Sequence, residues 1–199
     1  MPGLGMGTTG ETIERSPRVT EPSVRTVKAA ARIAHDLGLA ACFGGTLFGK
    51  VIFNSSLPVV GSKTERGRLG AAFWNSANPV NAAAFGVAVA TWLPGRLGPS
   101  YGKADGEMRG LLLAKDALMG AAGTAGLAAV LAQVSLNRRA PQGAVPLESG
   151  GVPAPEAGET TALIQRAVGA LGGVNVALFA GLVAVSSALS QPPDDDPTR

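Results

Sequence analysis

The sequence predicts an all-α integral membrane protein, a four-helix bundle with disordered termini. Three observations predict it. Charged residues make up only 16% of the 199-residue sequence, against roughly 25% in soluble domains. They are segregated into the ends and the connections between four long apolar stretches, each near the length needed to cross the hydrocarbon layer. The 28 glycines are about twice the usual share. With abundant alanine, they suit helices that approach closely in lipid.

Residues 1–28 are polar, charged and proline-containing, and read as a disordered tail with no apolar run of the kind a cleavable signal carries. The first span is placed at residues 33–53, about 31 Å at ~1.5 Å per residue. Its opening, HDLGLAACFGGTLFGK, runs from His35 to Lys50. The charges at its two ends are within snorkelling reach of headgroups. The second span is placed at 72–93. Asn78 is a good N-cap and Pro79 suits a first helical position, so the helix starts either there or near Leu69 with a proline kink. Trp74 and Trp92 lie near its ends, as interfacial anchors do.

The third span is placed at 111–136 and closed by Arg138 and Arg139. Lys115 and Asp116 sit about one turn inside it, with Arg109 two turns before Asp116 on the same face. Residues 140–160, rich in Pro, Gly and Glu, read as a mobile loop. Thr160 or Thr161 caps the fourth span, at 163–189. Residues 191–199, opening on paired prolines, form a second disordered tail. Four spans put both termini on one side. Of the 17 Lys and Arg residues, ten fall on that side and seven on the other. The positive-inside rule then favours a cytoplasmic (cell) membrane with cytoplasmic termini.

The clearest motif is a stripe of small residues at every fourth position of the fourth span: Gly169, Gly173, Ala177 and Gly181. The first span repeats it with Ala41, Gly45 and Gly49, and the third offers Ala122 and Gly126. Such stripes permit close backbone approach, a main source of helix attraction where lipid tails remove the hydrophobic drive. The partner is either a helix of the same chain or a second copy.

The single histidine, His35, is read as an interfacial residue bonding a helix end or headgroup. The alternative is a polar site shared by His35, Asp36 and Asp116, since ionisable groups at membrane depth are functional by default. Cys42, the only cysteine, reads as a small packing residue and excludes an intramolecular disulfide. Asn75, Asn78 and Asn81 recur every three residues. They either line a polar face or cap and flank the second helix.

A net charge of +3, with no dense basic stripe, excludes a nucleic-acid surface. One His and one Cys supply at most half a tetrahedral zinc site. No G-x-S-x-G, Walker loop or H-E-x-x-H is present. No metal and no cofactor are expected.

His35 followed by Gly44 and Gly45, inside a first helix and ahead of TLFGK, is similar to a pattern in several small four-helix membrane families. These include the core of copper-resistance D-type proteins and related uncharacterised bacterial membrane proteins. The resemblance covers about twenty residues, and Cys42 stands where those families often carry tryptophan. It implies the same four-helix membrane fold. A copper role would need Met- or His-rich patches, which this sequence lacks. The Ala/Gly-rich whole resembles small uncharacterised membrane proteins of actinobacterial type. The function expected is non-enzymatic: an accessory or structural component associating through small-residue faces, as a homo-oligomer or within a larger membrane complex in the bilayer. The alternative is a small transporter or metal- or cofactor-binding bundle using His35 and Asp116.

Overall fold

The computed structural model describes residues 24–97, 106–140 and 144–191. The expected tails, other than residues 24–28 and 191, lie outside them. The fold is all-α, built on four long helices: α1 (Val24–Leu47), α2 (Lys63–Leu97), α3 (Gly106–Arg139) and α4 (Glu159–Ala188). α1 runs on through a π-helical stretch, Phe48–Phe53, a single α turn at Asn54–Ser56 and a 3-10 turn at Leu57–Val59. A two-stranded antiparallel hairpin, β1 (Leu147–Ser149) and β2 (Val152–Pro153), precedes α4.

Three of the helical stretches are long and apolar enough to cross a membrane: Val24–Val59, Gly106–Arg139 and Glu159–Ala188. That is compatible with a multi-pass membrane protein. The expectation of four apolar spans is corrected at α2. Its 35 residues exceed the length needed, but the N-terminal third is charged and Asn75, Asn78 and Asn81 interrupt the rest. Asn78 is not a cap, because α2 begins at Lys63 and continues through both Pro79 and Pro94. The start signal is a capping pair that the apolar pattern obscured. The Glu65 N–H donates to Ser62 Oγ at 3.4 Å, and Glu65 lies in the first turn, where its charge favours the helix dipole. α4 likewise starts at Glu159, ahead of both threonines.

Large apolar side chains are exposed while several polar ones are buried beside the apolar core. Ile33, Leu37, Val51, Leu113, Leu131 and Leu163 are exposed, while His35, Thr46, Asn54, Lys115, Gln133 and Asn175 are buried. Water would oppose that distribution, whereas lipid favours it. The central core draws on all four helices, with Leu39, Cys42, Ala88, Met119, Ala122, Phe179 and Leu182 in one cluster. Phe85 and Phe179 meet there edge to face at 5.9 Å, a favourable geometry for the two ring quadrupoles. α1 packs on α2 and on α4, and α3 packs on α4. α2 and α3 touch little.

Residues 140–160, read as a mobile loop, carry the hairpin and bury Val145, Leu147 and Ala154. Polar ties hold the hairpin to the start of α2. Arg66 donates to Glu148 O at 2.5 Å and to Val60 O at 2.6 Å, while Lys63 pairs with Glu148 and Glu156. Those two carboxylates raise the Lys63 pKa. Gly67 lies so close beneath Val145 O that a Cβ there would collide with it.

Candidate functional site

A cavity of about 390 Å³ lies between the four helices and the hairpin. It extends from Phe85 and Phe179 at the core to Val145 and Leu147 at the hairpin. Its lining includes Ala82 of α2 and Leu127 of α3, both exposed. The cavity therefore reaches the surface between two helices that touch little.

Several polar side chains are set into a mostly apolar lining. The α1 stretch contributes Thr46, Lys50 and Asn54, spaced four apart on one face. The π-helical segment carries Lys50. There the ladder widens, and the Asn54 N–H bonds Gly49 O, five residues back, a distortion common at functional sites. Lys50 Nζ crosses to α4 and donates to Gly169 O at 2.8 Å. Its stem lies along Gly172, where a Cβ would come within 3.1 Å of Lys50 Cδ. This inward course differs from the snorkelling expected of Lys50.

α2 turns Trp74, Asn78 and Asn81 to the cavity, α3 Gln133 and Asn137, and α4 Gln165 and Asn175. Gln133 donates to Asn137 at 3.0 Å, and Asn137 donates to Asn75 at 3.1 Å, linking α3 to α2. The Asn175 amide, its oxygen and nitrogen assigned from their surroundings, donates to Ala122 O and accepts from the Gly126 N–H, each at 3.3 Å. The structure thus gives Asn78 and Asn81 a lining role, leaves Asn75 exposed beside them, and removes the capping role from Asn78.

Toward the other end, a second polar cluster centres on Trp92. Its indole N–H donates to Asp116 Oδ1 at 3.0 Å, and Arg96 Nε donates to the same oxygen at 2.8 Å. Arg96 and Asp116 also pair through Nη2 and Oδ2. Lys115 Nζ sits 4.3 Å from the centroid of the Trp92 ring, a cation–π distance. His35 packs 6.0 Å from the same ring and donates from Nδ1 to Ala88 O at 2.8 Å. His35 is 6% exposed, so the interfacial reading is corrected: an interhelical backbone bond, not a headgroup, takes its Nδ1, and its Nε2 is buried without a hydrogen-bond partner among the described residues. Both tryptophans turn inward rather than anchoring the helix ends.

His35 and Asp116 are therefore brought to one cluster, with Trp92 between them, while Asp36 is exposed. Asp116 pairs with Arg96 of α2 rather than with Arg109. The cluster joins α1, α2 and α3 through the Arg96–Asp116 pair, the Trp92 indole and the His35 bond to Ala88 O, which suits a clamp.

The small-residue stripes divide. Gly45 and Gly49 face Asn81 and Trp74 of α2, and Gly181 faces Leu118 of α3, whereas Ala41, Gly173 and Ala177 are exposed. The physical reason is angular. A four-residue step turns about 400°, so the three steps from Gly169 to Gly181 sweep about 120° across the helix surface rather than along one face. The buried positions step by four and three instead: Gly38, Cys42 and Gly49 with Gly45 between them, and Asn175, Phe179, Leu182 and Ser186.

No family model, no curated protein and no solved structure matches this chain. Among the described residues, no group of three or more His, Cys, Asp or Glu side chains could hold a metal ion.

Proposed function

We propose that the chain is a four-helix multi-pass protein of the cytoplasmic membrane, termini inside, that holds a small amphipathic molecule taken sideways from the lipid. It acts as a non-enzymatic carrier or accessory component. The observation that carries this reading is the cavity of about 390 Å³, within the usual range for ligand sites. Polar residues at membrane depth are costly and persist where a pathway or ligand uses them. α2 serves as the fourth span, over residues 72–93, because Asn78 and Asn81 turn to the cavity while Val80, Val87 and Leu93 are exposed on the outside.

The test is saturable quenching of Trp74 fluorescence by the neutral probe ω-bromododecanol, with the protein in phosphatidylcholine nanodiscs. Gly126 lines the cavity, and Gly126→Phe fills it, so that variant is expected to bind at least about tenfold more weakly. Identical, non-saturating quenching in both proteins would refute the reading.

A second reading, self-assembly or docking to a membrane partner, is favoured by the outer face of α4. A methyl group added at Gly173 would meet nothing within 4 Å, and Ala177 beside it is exposed. Gly173→Ile is expected to lower the oligomeric population in a mild detergent without loss of thermal stability. An unchanged oligomer distribution counts against assembly through this face.

A further inference from the structure

We propose that the occupant of the cavity is an amphipathic anion, with its carboxylate or phosphate head on Lys50 and its apolar body running toward Phe85 and Phe179. The inference rests on the cavity reading above and names its ligand class.

Charge carries the argument. Lys50 is the sole ionisable side chain in the lining among the described residues, which otherwise holds amides, small residues and apolar groups. The salt bridges among the described residues leave Lys50 without a carboxylate partner. Its ammonium has three donors, one of which goes to Gly169 O. A neutral carbonyl satisfies a hydrogen bond but does not cancel a charge. In a low-dielectric interior, an opposite charge within a few ångström is worth far more than in water. At the other end of the molecule Arg96 is paired with Asp116 and Lys115 lies over the face of the Trp92 ring, whereas Lys50 lines the cavity.

Placement supports the same conclusion. A lysine serving only as an interfacial anchor directs its head to the membrane surface. Lys50 instead lies across the interior, its stem fitted over Gly172. Thr46 and Asn54 lie one turn to either side and add neutral polar groups to the same lining. Toward Phe85 and Phe179 the lining adds Leu127 and Val130, with the neutral amides of Asn81 and Asn175 set among them. One charged anchor followed by an apolar slot open at the side fits a single-headed amphiphile.

The experiment titrates the full chain, in phosphatidylcholine nanodiscs, with ω-bromododecanoate and ω-bromododecanol, reading tryptophan quenching. The carboxylate is expected to bind at least about tenfold more tightly than the alcohol, the effect typical of one charge-assisted contact. Lys50→Met is expected to erase that preference while leaving alcohol binding in place, and Lys50→Arg to restore most of it. Equal affinity for the two probes in the unsubstituted chain overturns the proposal and requires no variant. In that case saturable alcohol binding keeps the cavity reading, whereas no saturable binding of either probe removes both.

Adding phosphatidylglycerol to the nanodiscs separates two sources of the same head chemistry. Weakened carboxylate binding in the unsubstituted chain, beyond the change seen with Lys50→Met, assigns the site to an anionic lipid headgroup. Unchanged binding assigns it to a free amphiphile.

Discussion

Gly38→Leu is expected to force α1 and α2 apart and to destabilise the protein by about 3 kcal/mol, the upper range for overpacking a tight interface. A Cβ at Gly38 would stand 2.6 Å from Ala84 O and 3.2 Å from Ala88 N, both backbone atoms that cannot move aside. The same approach brings Ala88 O within reach of His35. The substitution therefore removes a hydrogen bond as well as creating a clash. Thermal unfolding in detergent, followed by circular dichroism, measures the effect. Gly44→Ala, six residues away on α1, is the control: nothing lies within 4 Å of the added methyl, and its effect should stay within about 0.5 kcal/mol. Equal losses in the two variants would mean that α1 and α2 are not in backbone contact.

Asp116→Ala is expected to cost about 2 kcal/mol. Removing one partner of an enclosed ion pair leaves the other charge uncompensated, which costs about 3–5 kcal/mol when burial is complete. The lower figure reflects the 31% exposure of the Asp116 side chain and the screening that comes with it. Asp116 also accepts the Trp92 indole N–H, so the loss falls on two contacts between α2 and α3. A double-mutant cycle with Arg96→Met isolates the pair. A coupling near zero would show that the ion pair does not hold the two helices.

The apolar runs make the existence of the helices legible, because α1, α3 and α4 announce themselves by length and hydropathy. α2 is half hidden. Its first turns are Lys63 to Arg68, and only the Ser62–Glu65 capping pair reveals that a helix begins there. The hairpin is illegible for a different reason: Val145 and Leu147 are buried by contacts from distant parts of the chain, among them Gly67, and a Pro/Gly-rich segment does not advertise such partners. Lys50 is the clearest overlooked signal. Thr46, Lys50 and Asn54 recur every four residues, a polar stripe visible within an otherwise apolar run, yet proximity to the span's end suggests an anchor. A strict four-residue period is the wrong one for a long helix face, which is why Gly173 and Ala177 of the small-residue stripe point outward. Arg96 pairing with Asp116 depends on α2 and α3 lying side by side, which their separation in the chain conceals.

The sparse contact between α2 and α3 gives the molecule a spine and a fore-edge, as in a book. The spine is the seam where α1 lies on α4, with α2 and α3 as the two covers. At one end the covers are pinned by Trp92 and Arg96 on Asp116. At the cavity end the hydrogen bond from the Asn137 amide to Asn75 Oδ1 crosses the gap. An interface held so unevenly opens first where the ties are weakest. Spreading the covers there widens the mouth beside Ala82 and Leu127 while leaving the spine intact.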